Sequence, residues 1–207
     1  ILLPEPLWSV HCVIWSVSSG VDPSLSCNPV SLRNQSFRSL PNLAGVHSPD
    51  SWLLTVLDNP NLKFLHKRLT FEIKAHCNMF LQHKDKFKIT TSWFTKTKKD
   101  GYSDFHNHSN SMFSGVFYIQ SNEETDKIAF SDFKTSTWLL EFKEQNIYNS
   151  QKLLVPTYPG LLLIFPADVF HRIEPNVQSG ERISMAFNVV PTGTIGYNDS
   201  SLTLKCR

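Results

Sequence analysis

From Phe87 onward the apolar residues change their period, and that change constrains the fold more than any single motif. Upstream, Leu62, Leu65, Leu69, Ile73, His76 and Phe80 recur at three- and four-residue spacing, the mark of one helix face. Pro60 suits a first helical position and Asn59 an N-cap, so the helix is predicted to begin there. Downstream, Phe87, Ile89, Thr91, Trp93 and Thr95 alternate with Lys88, Thr90, Ser92 and Phe94, which is a strand pattern. Further short strands are predicted at residues 112–120, 127–130, 137–142, 152–156, 161–165 and 182–190. Turn residues separate them at Asn122, Asn149, Pro159-Gly160 and Ser179-Gly180. One helix followed by many short strands predicts a β sandwich or barrel, buttressed on one side by the Pro60 helix.

The 207 residues fit a single domain, or one domain with an N-terminal extension. Residues 7–17 read as a strand and residues 18–51, rich in Ser, Asn and Pro, as an extended arm. The expected division is therefore 1–50 strand and arm, 51–85 helical support, 86–196 β core and 197–207 tail. Fifteen Phe and five Trp favour sheet, where aromatic side chains suit half-buried pleated surfaces. A formal charge of +2, with Lys96, Lys98 and Lys99 the only dense group, disfavours nucleic acid or a polyanion as partner. Cysteines at 12, 27, 77 and 206 show no CxxC, which argues against a zinc ribbon or redox motif and for a reducing, cytoplasmic setting. No run of about 18 apolar residues predicts a membrane span. The N-terminal octapeptide has two prolines, a glutamate and no basic region, so it does not read as a signal peptide. The missing initiator Met suggests a trimmed or fragmentary start.

Candidate chemistry centres on His106-Asn107-His108, which leads into the apolar run Ser114-Gly115-Val116-Phe117-Tyr118. In an extended segment residues two apart share a face, so His106 and His108 would project together, with Asp104 a third candidate. Imidazole nitrogen ligates Fe, Zn, Cu and Ni. His171 follows the buried-strand composition of residues 161–165 and the Phe165-Pro166 break, where it can reach a barrel mouth. Arg182 and Ser184 open the last apolar strand on one face. A buried guanidinium there requires an anion, either a ligand carboxylate or an internal partner such as Asp168 or Glu174. His76, on the apolar helix face, reads as a packed core histidine rather than a ligand.

Taken in order, these pieces resemble the iron(II)/2-oxoglutarate-dependent oxygenase superfamily, which carries HxD/E, a distant His and an RxS pair. Within it the chain is most similar to a branch of small oxygenases from bacteria and marine phages. That branch shows HxHP-like histidines, an SGVFY-like strand, FP near a distal His, then RIS and a closing FN. Here they read His106-Asn107-His108, residues 114–118, Phe165-Pro166, His171, Arg182-Ile183-Ser184 and Phe187-Asn188, with Thr91-Ser92-Trp93 a further likeness. The resemblance covers roughly residues 86–196 and is weaker across the Pro60 helix and at Pro6-Leu7-Trp8. Two departures stand out: His108 occupies the place of the usual carboxylate, and Ser109 that of a common proline.

The resemblance implies a mainly β fold, a double-stranded β-helix (jelly-roll, cupin-like barrel) with a buttressing N-terminal helix. It implies Fe(II) on His106, His108 and His171, with Asp104 or water left open as an alternative third ligand. It implies 2-oxoglutarate as co-substrate, held by Arg182 and Ser184 with Tyr102, Thr91 or Tyr118 adding a hydroxyl, and O2 as oxidant. The expected activity is dioxygenase hydroxylation of an unknown substrate, a small molecule or a protein side chain, in the cytoplasm (or a host's cytoplasm if phage-encoded). Homo-oligomerisation is left open. Two other classes compete: a three-histidine cupin-like metalloenzyme that does not use 2-oxoglutarate, and a non-catalytic β-barrel binding module.

Overall fold

The computed structural model describes residues 11–14, 55–131, 141, 143–144, 152–175 and 180–206. The arm at 18–51 and the turns at Asn149 and Ser179 lie outside the described residues, as does the predicted strand at 137–142 apart from Glu141, which is not in a strand. Of the predicted strand at 7–17, residues His11–Ile14 (β1) are described and are strand.

The helical support begins where the sequence places it. Asn59 caps the turn Pro60–Leu62 by accepting from the Asn61 amide at 3.0 Å, and the chain continues as α1 (Lys63–Ala75) and a π-turn, His76–Phe80. Leu62, Leu65, Leu69 and Ile73 form the buried stripe, and His76 joins them, its ring edge-on to Phe113 at 5.6 Å. His76 is thus a core residue.

The strands that follow are β2 (Lys86–Thr97), β3 (Phe113–Gln120), β4 (Lys127–Ser131), β5 (Lys152–Pro156), β6 (Leu161–Pro166), β7 (Phe170–Ile173), β8 (Arg182–Ile195) and β9 (Leu202–Leu204). The larger sheet runs β1-β6-β3-β8-β2, with β9 added to β8; the smaller runs β5-β4-β7. All their pairings are antiparallel. This is a mainly β jelly-roll with an N-terminal helical buttress, as expected. β7 and β9 were not predicted.

The larger sheet is buried on both faces. Phe117 and Ile119 of β3, Leu162 and Ile164 of β6, and Met185, Phe187 and Val189 of β8 pack against α1. On the opposite face Val116, Tyr118, Leu161, Leu163 and Phe165 meet Ile128 and Phe130 of the smaller sheet. A strand buried on both sides reads as continuous apolar sequence, which explains residues 161–165. Gly115 in β3 serves a close approach: a Cβ there would overlap the Phe187 ring.

One sequence expectation is corrected by the register. The alternation through β2 is not continuous, because β2 shifts against β8 between Ile89 and Thr91. A bulge of this kind adds one residue and exchanges the faces. Phe87 and Ile89 therefore face the helix core, as Phe94 does. Beyond the bulge Thr91, Trp93, Thr95 and Thr97 pair with Asn188, Ala186, Ser184 and Arg182.

Candidate metal centre

Two backbone contacts, rather than a regular strand, set the His106–His108 segment. His106 forms an isolated antiparallel bridge with His171 of β7, and the His108 amide donates to the Ala167 carbonyl at 2.8 Å. β7 in turn pairs with β4, placing His171 opposite Phe130. The three imidazoles converge: their ligand atoms all lie within 4.8 Å of one another, and His108 Nε2 is 3.3 Å from His171 Nε2. Among the described residues this is the only such cluster of three or more His, Cys, Asp or Glu.

The second nitrogens are already occupied. His106 Nδ1 donates to the Asp104 carbonyl at 2.8 Å, and His171 Nδ1 to the Val169 carbonyl at 3.0 Å. A ring that donates from Nδ1 presents a bare lone pair at Nε2, the form that binds a metal. Metal–imidazole bonds of about 2.1 Å place neighbouring ligand nitrogens roughly 3 Å apart, so the 3.3 Å separation suits a shared cation. The chemistry of the donor set fits a first-row divalent metal.

Aromatic rings pack around two of the histidines. Phe165 packs edge-on to His171 at 4.7 Å, Phe130 lies 6.1 Å away, and Trp93 sits 5.7 Å from His108. His171 is buried, and that burial pushes its pKa down to about 3. The hydrogen bond to Val169 opposes the shift; the neighbouring charges of His106 and His108 reinforce it. His171 is therefore neutral at physiological pH.

A second polar group lines the same interior. Tyr118 pairs with Ser184, and Ser184 with Thr95 on its other side; Arg182 lies opposite Thr97. Arg182 is 2% exposed, and its Nη2 donates to the Glu174 carbonyl at 3.2 Å. Glu174 is three residues beyond His171, roughly 10 Å at the rise of an extended strand. The Tyr118 hydroxyl is fully buried and has no hydrogen-bond partner. Burial pushes the phenol above its ordinary range, so it stays a neutral donor. Burial also lowers Arg182, with Asp126 and Tyr118 opposing.

Not every predicted residue comes together here. Tyr102 is 64% exposed and stays out of the interior. Thr91 shares the interior face in register but is exposed at its open end. Asp104 is exposed and supplies its backbone carbonyl, not its carboxylate, to His106. Asp168 is exposed and does not pair with Arg182; the partner is Asp126, with Nη1 to Oδ1 at 3.4 Å. Asp126 was missed because its carboxylate caps a turn, accepting from the Asn122 amide at 2.8 Å and the Ser121 hydroxyl at 3.1 Å. Asn188, in the Phe187-Asn188 pair, accepts through Oδ1 from Ser114 Oγ at 2.8 Å.

Comparison with known proteins adds three findings. Residues 91–188 match the family described as "Putative 2OG-Fe(II) oxygenase". HygX from Streptomyces hygroscopicus, solved with nickel and 2-oxoglutarate bound, superposes with a TM-score of 0.54 at 14% identity, covering 93% of this chain and 88% of that one. This likeness establishes the fold. A 2OG-Fe(II) oxygenase family protein from Burkholderia pseudomallei is also similar, with TM-score 0.43, 12% identity, and 65% of this chain against 54% of that one. So is a prolyl-4-hydroxylase from Pseudomonas putida, with TM-score 0.40, 15% identity, and 62% against 61%. The chain thus spans little more than half the length of the Burkholderia protein. No curated protein sequence matches.

Proposed function

We infer that this chain is an oxidoreductase of the 2OG-Fe(II) oxygenase kind, hydroxylating a substrate with Fe(II), 2-oxoglutarate and O2; the family match over residues 91–188 and the shared fold support this reading. The substrate is a small molecule or a side chain of another protein. Iron and co-substrate, when bound, supply oxidative decarboxylation of 2-oxoglutarate to succinate and hydroxylation of a substrate C–H bond.

The carrying observation is the convergence of His106, His108 and His171, with two of the three rings oriented by carbonyl hydrogen bonds. In this proposal all three hold the metal through Nε2. His108 stands where the superfamily has a carboxylate, so the ligand set carries no charge and the site keeps the full +2 of the metal. That strengthens its hold on an anionic chelator. Phe165 and Phe130 shield His171, and Trp93 covers part of His108. Arg182, Ser184 and Tyr118 would receive the distal end of the co-substrate, the orphaned phenol finding an acceptor there.

No helix among the described residues is long and apolar enough to cross a membrane. Cys77 and Cys206 are free thiols, which suits the reducing cytoplasmic setting we propose. The whole chain is read as one functional unit with its catalytic core at 86–196.

The Arg182–Asp126 pair favours one rival, the three-histidine metalloenzyme that does not use 2-oxoglutarate, because it satisfies Arg182 internally. Anaerobic titration of the Fe(II) protein with 2-oxoglutarate separates the two. A weak visible charge-transfer band that Arg182→Ala diminishes is expected; iron binding with no such band would overturn the oxygenase proposal.

A further inference from the structure

Arg182 enters the interior with an anionic partner already supplied. Its Nη1 donates to Asp126 Oδ1 at 3.4 Å, and the two side chains are 2% and 4% exposed. Asp126 is held firmly. Its Oδ2 takes hydrogen bonds from the Asn122 amide and the Ser121 hydroxyl, and its carbonyl accepts from the Thr157 amide at 3.0 Å. The Ser121 hydroxyl also meets the Thr157 hydroxyl at 2.7 Å. The carboxylate cannot swing away from the guanidinium without breaking two hydrogen bonds.

A guanidinium and a carboxylate in contact largely cancel at short range. An anionic group arriving at Arg182 therefore gains less than it would from an unpaired arginine. It also brings a second negative charge toward Asp126, a repulsion that water does not screen in a buried site. What remains to recognise a ligand is a set of hydrogen-bond donors: the guanidinium N–H groups not used on Asp126 and Glu174, and the unpartnered Tyr118 hydroxyl. Such donors respond to lone pairs more than to net charge.

We propose that Asp126 sets the charge selectivity of the co-substrate pocket, so that the site accepts 2-oxo acids with an uncharged, acceptor-bearing tail alongside 2-oxoglutarate. Asp126 is a specificity-determining residue that acts through Arg182. The inference rests on the co-substrate role given to the pocket above.

The test is anaerobic calorimetry on the Fe(II)-loaded protein with two ligands. One is 2-oxoglutarate; the other is 2,5-dioxohexanoate, in which a methyl ketone replaces the distal carboxylate at matched size. Wild type is expected to prefer 2-oxoglutarate by no more than about tenfold, less than a fully available charged hydrogen bond can give. Asp126→Asn should tighten 2-oxoglutarate by about tenfold or more while moving the ketone by less than about twofold. Asp126→Glu, which keeps the charge, should behave like wild type. A wild-type preference above tenfold, or an Asp126→Asn protein that binds 2-oxoglutarate no more tightly, overturns the proposal. If Asp126→Asn does not fold, the wild-type ratio alone decides. Failure of every form to bind 2-oxoglutarate would refute the co-substrate role itself, and this inference with it.

Discussion

His106 and His171 are joined through their backbones before any metal is considered: the amide of each donates to the carbonyl of the other, at 3.0 and 2.9 Å. This bridge is made by backbone atoms alone and does not depend on the rings, whose centroids lie 4.4 Å apart. Removing the His106 ring should therefore cost metal rather than fold. His106→Ala is expected to keep the far-UV spectrum and the melting temperature of the metal-free protein to within a few degrees. It should lose more than about 100-fold in Fe(II) affinity, beyond what loss of an outer-shell partner costs. Loss of the Fe(II)-induced rise in melting temperature checks it.

His108→Asp restores a carboxylate to the ligand set and lowers the charge of the site by one. Iron binding should persist. The hold on 2-oxoglutarate should weaken by about tenfold, because the new charge lies within a few ångströms of the chelating carboxylate. Anaerobic titration of the visible band measures the change; an unaltered midpoint would place position 108 outside the metal's ligands.

His171 also predicts a pH dependence in the metal-free protein. Its folded-state pKa is depressed from 6.5 to about 3 by burial. Between those values the unfolded chain takes up a proton that the folded chain refuses, so stability falls as the pH falls from 6.5 toward 3. The slope is at most about 1.4 kcal/mol per pH unit for this one group. Urea midpoints measured from pH 7 to 4 should show this loss, and His171→Gln should flatten it.

Gly115→Ala tests the packing between β3 and β8. The added methyl meets the Phe187 ring well inside contact distance. A destabilisation of about 1–3 kcal/mol is expected, the usual cost of overpacking a core. Phe187→Leu in the same chain should recover part of it, and the non-additivity in a double-mutant cycle is the readout.

Much of this architecture was legible because single elements dominate their local sequence. The Asn59-Pro60 start and the Leu62-to-His76 stripe specify α1 almost alone, and residues 161–165 announce a strand buried on both sides. The structure brings the three histidines named from the sequence together, but by a different geometry. His106 and His108 do not converge through strand pleating; each is anchored by a separate long-range backbone bond, which no local pattern reveals. β7 went unseen because its four residues are too few to show alternation. Thr90's bulge was hidden because alternating residues look the same on either side of a phase shift. Asp126 was invisible for a related reason: a turn aspartate is common, and only the fold brings it to Arg182.

β6 is shared by both hydrophobic cores. It is a party wall between two rooms: Leu162 and Ile164 furnish the helix side, while Leu161, Leu163 and Phe165 furnish the pocket side. Attempts to enlarge the pocket by trimming this strand would also loosen the support behind it. Remodelling for a new substrate has more latitude at the exposed rim, where Thr91, Asn107 and Met112 can change without unsettling the other room.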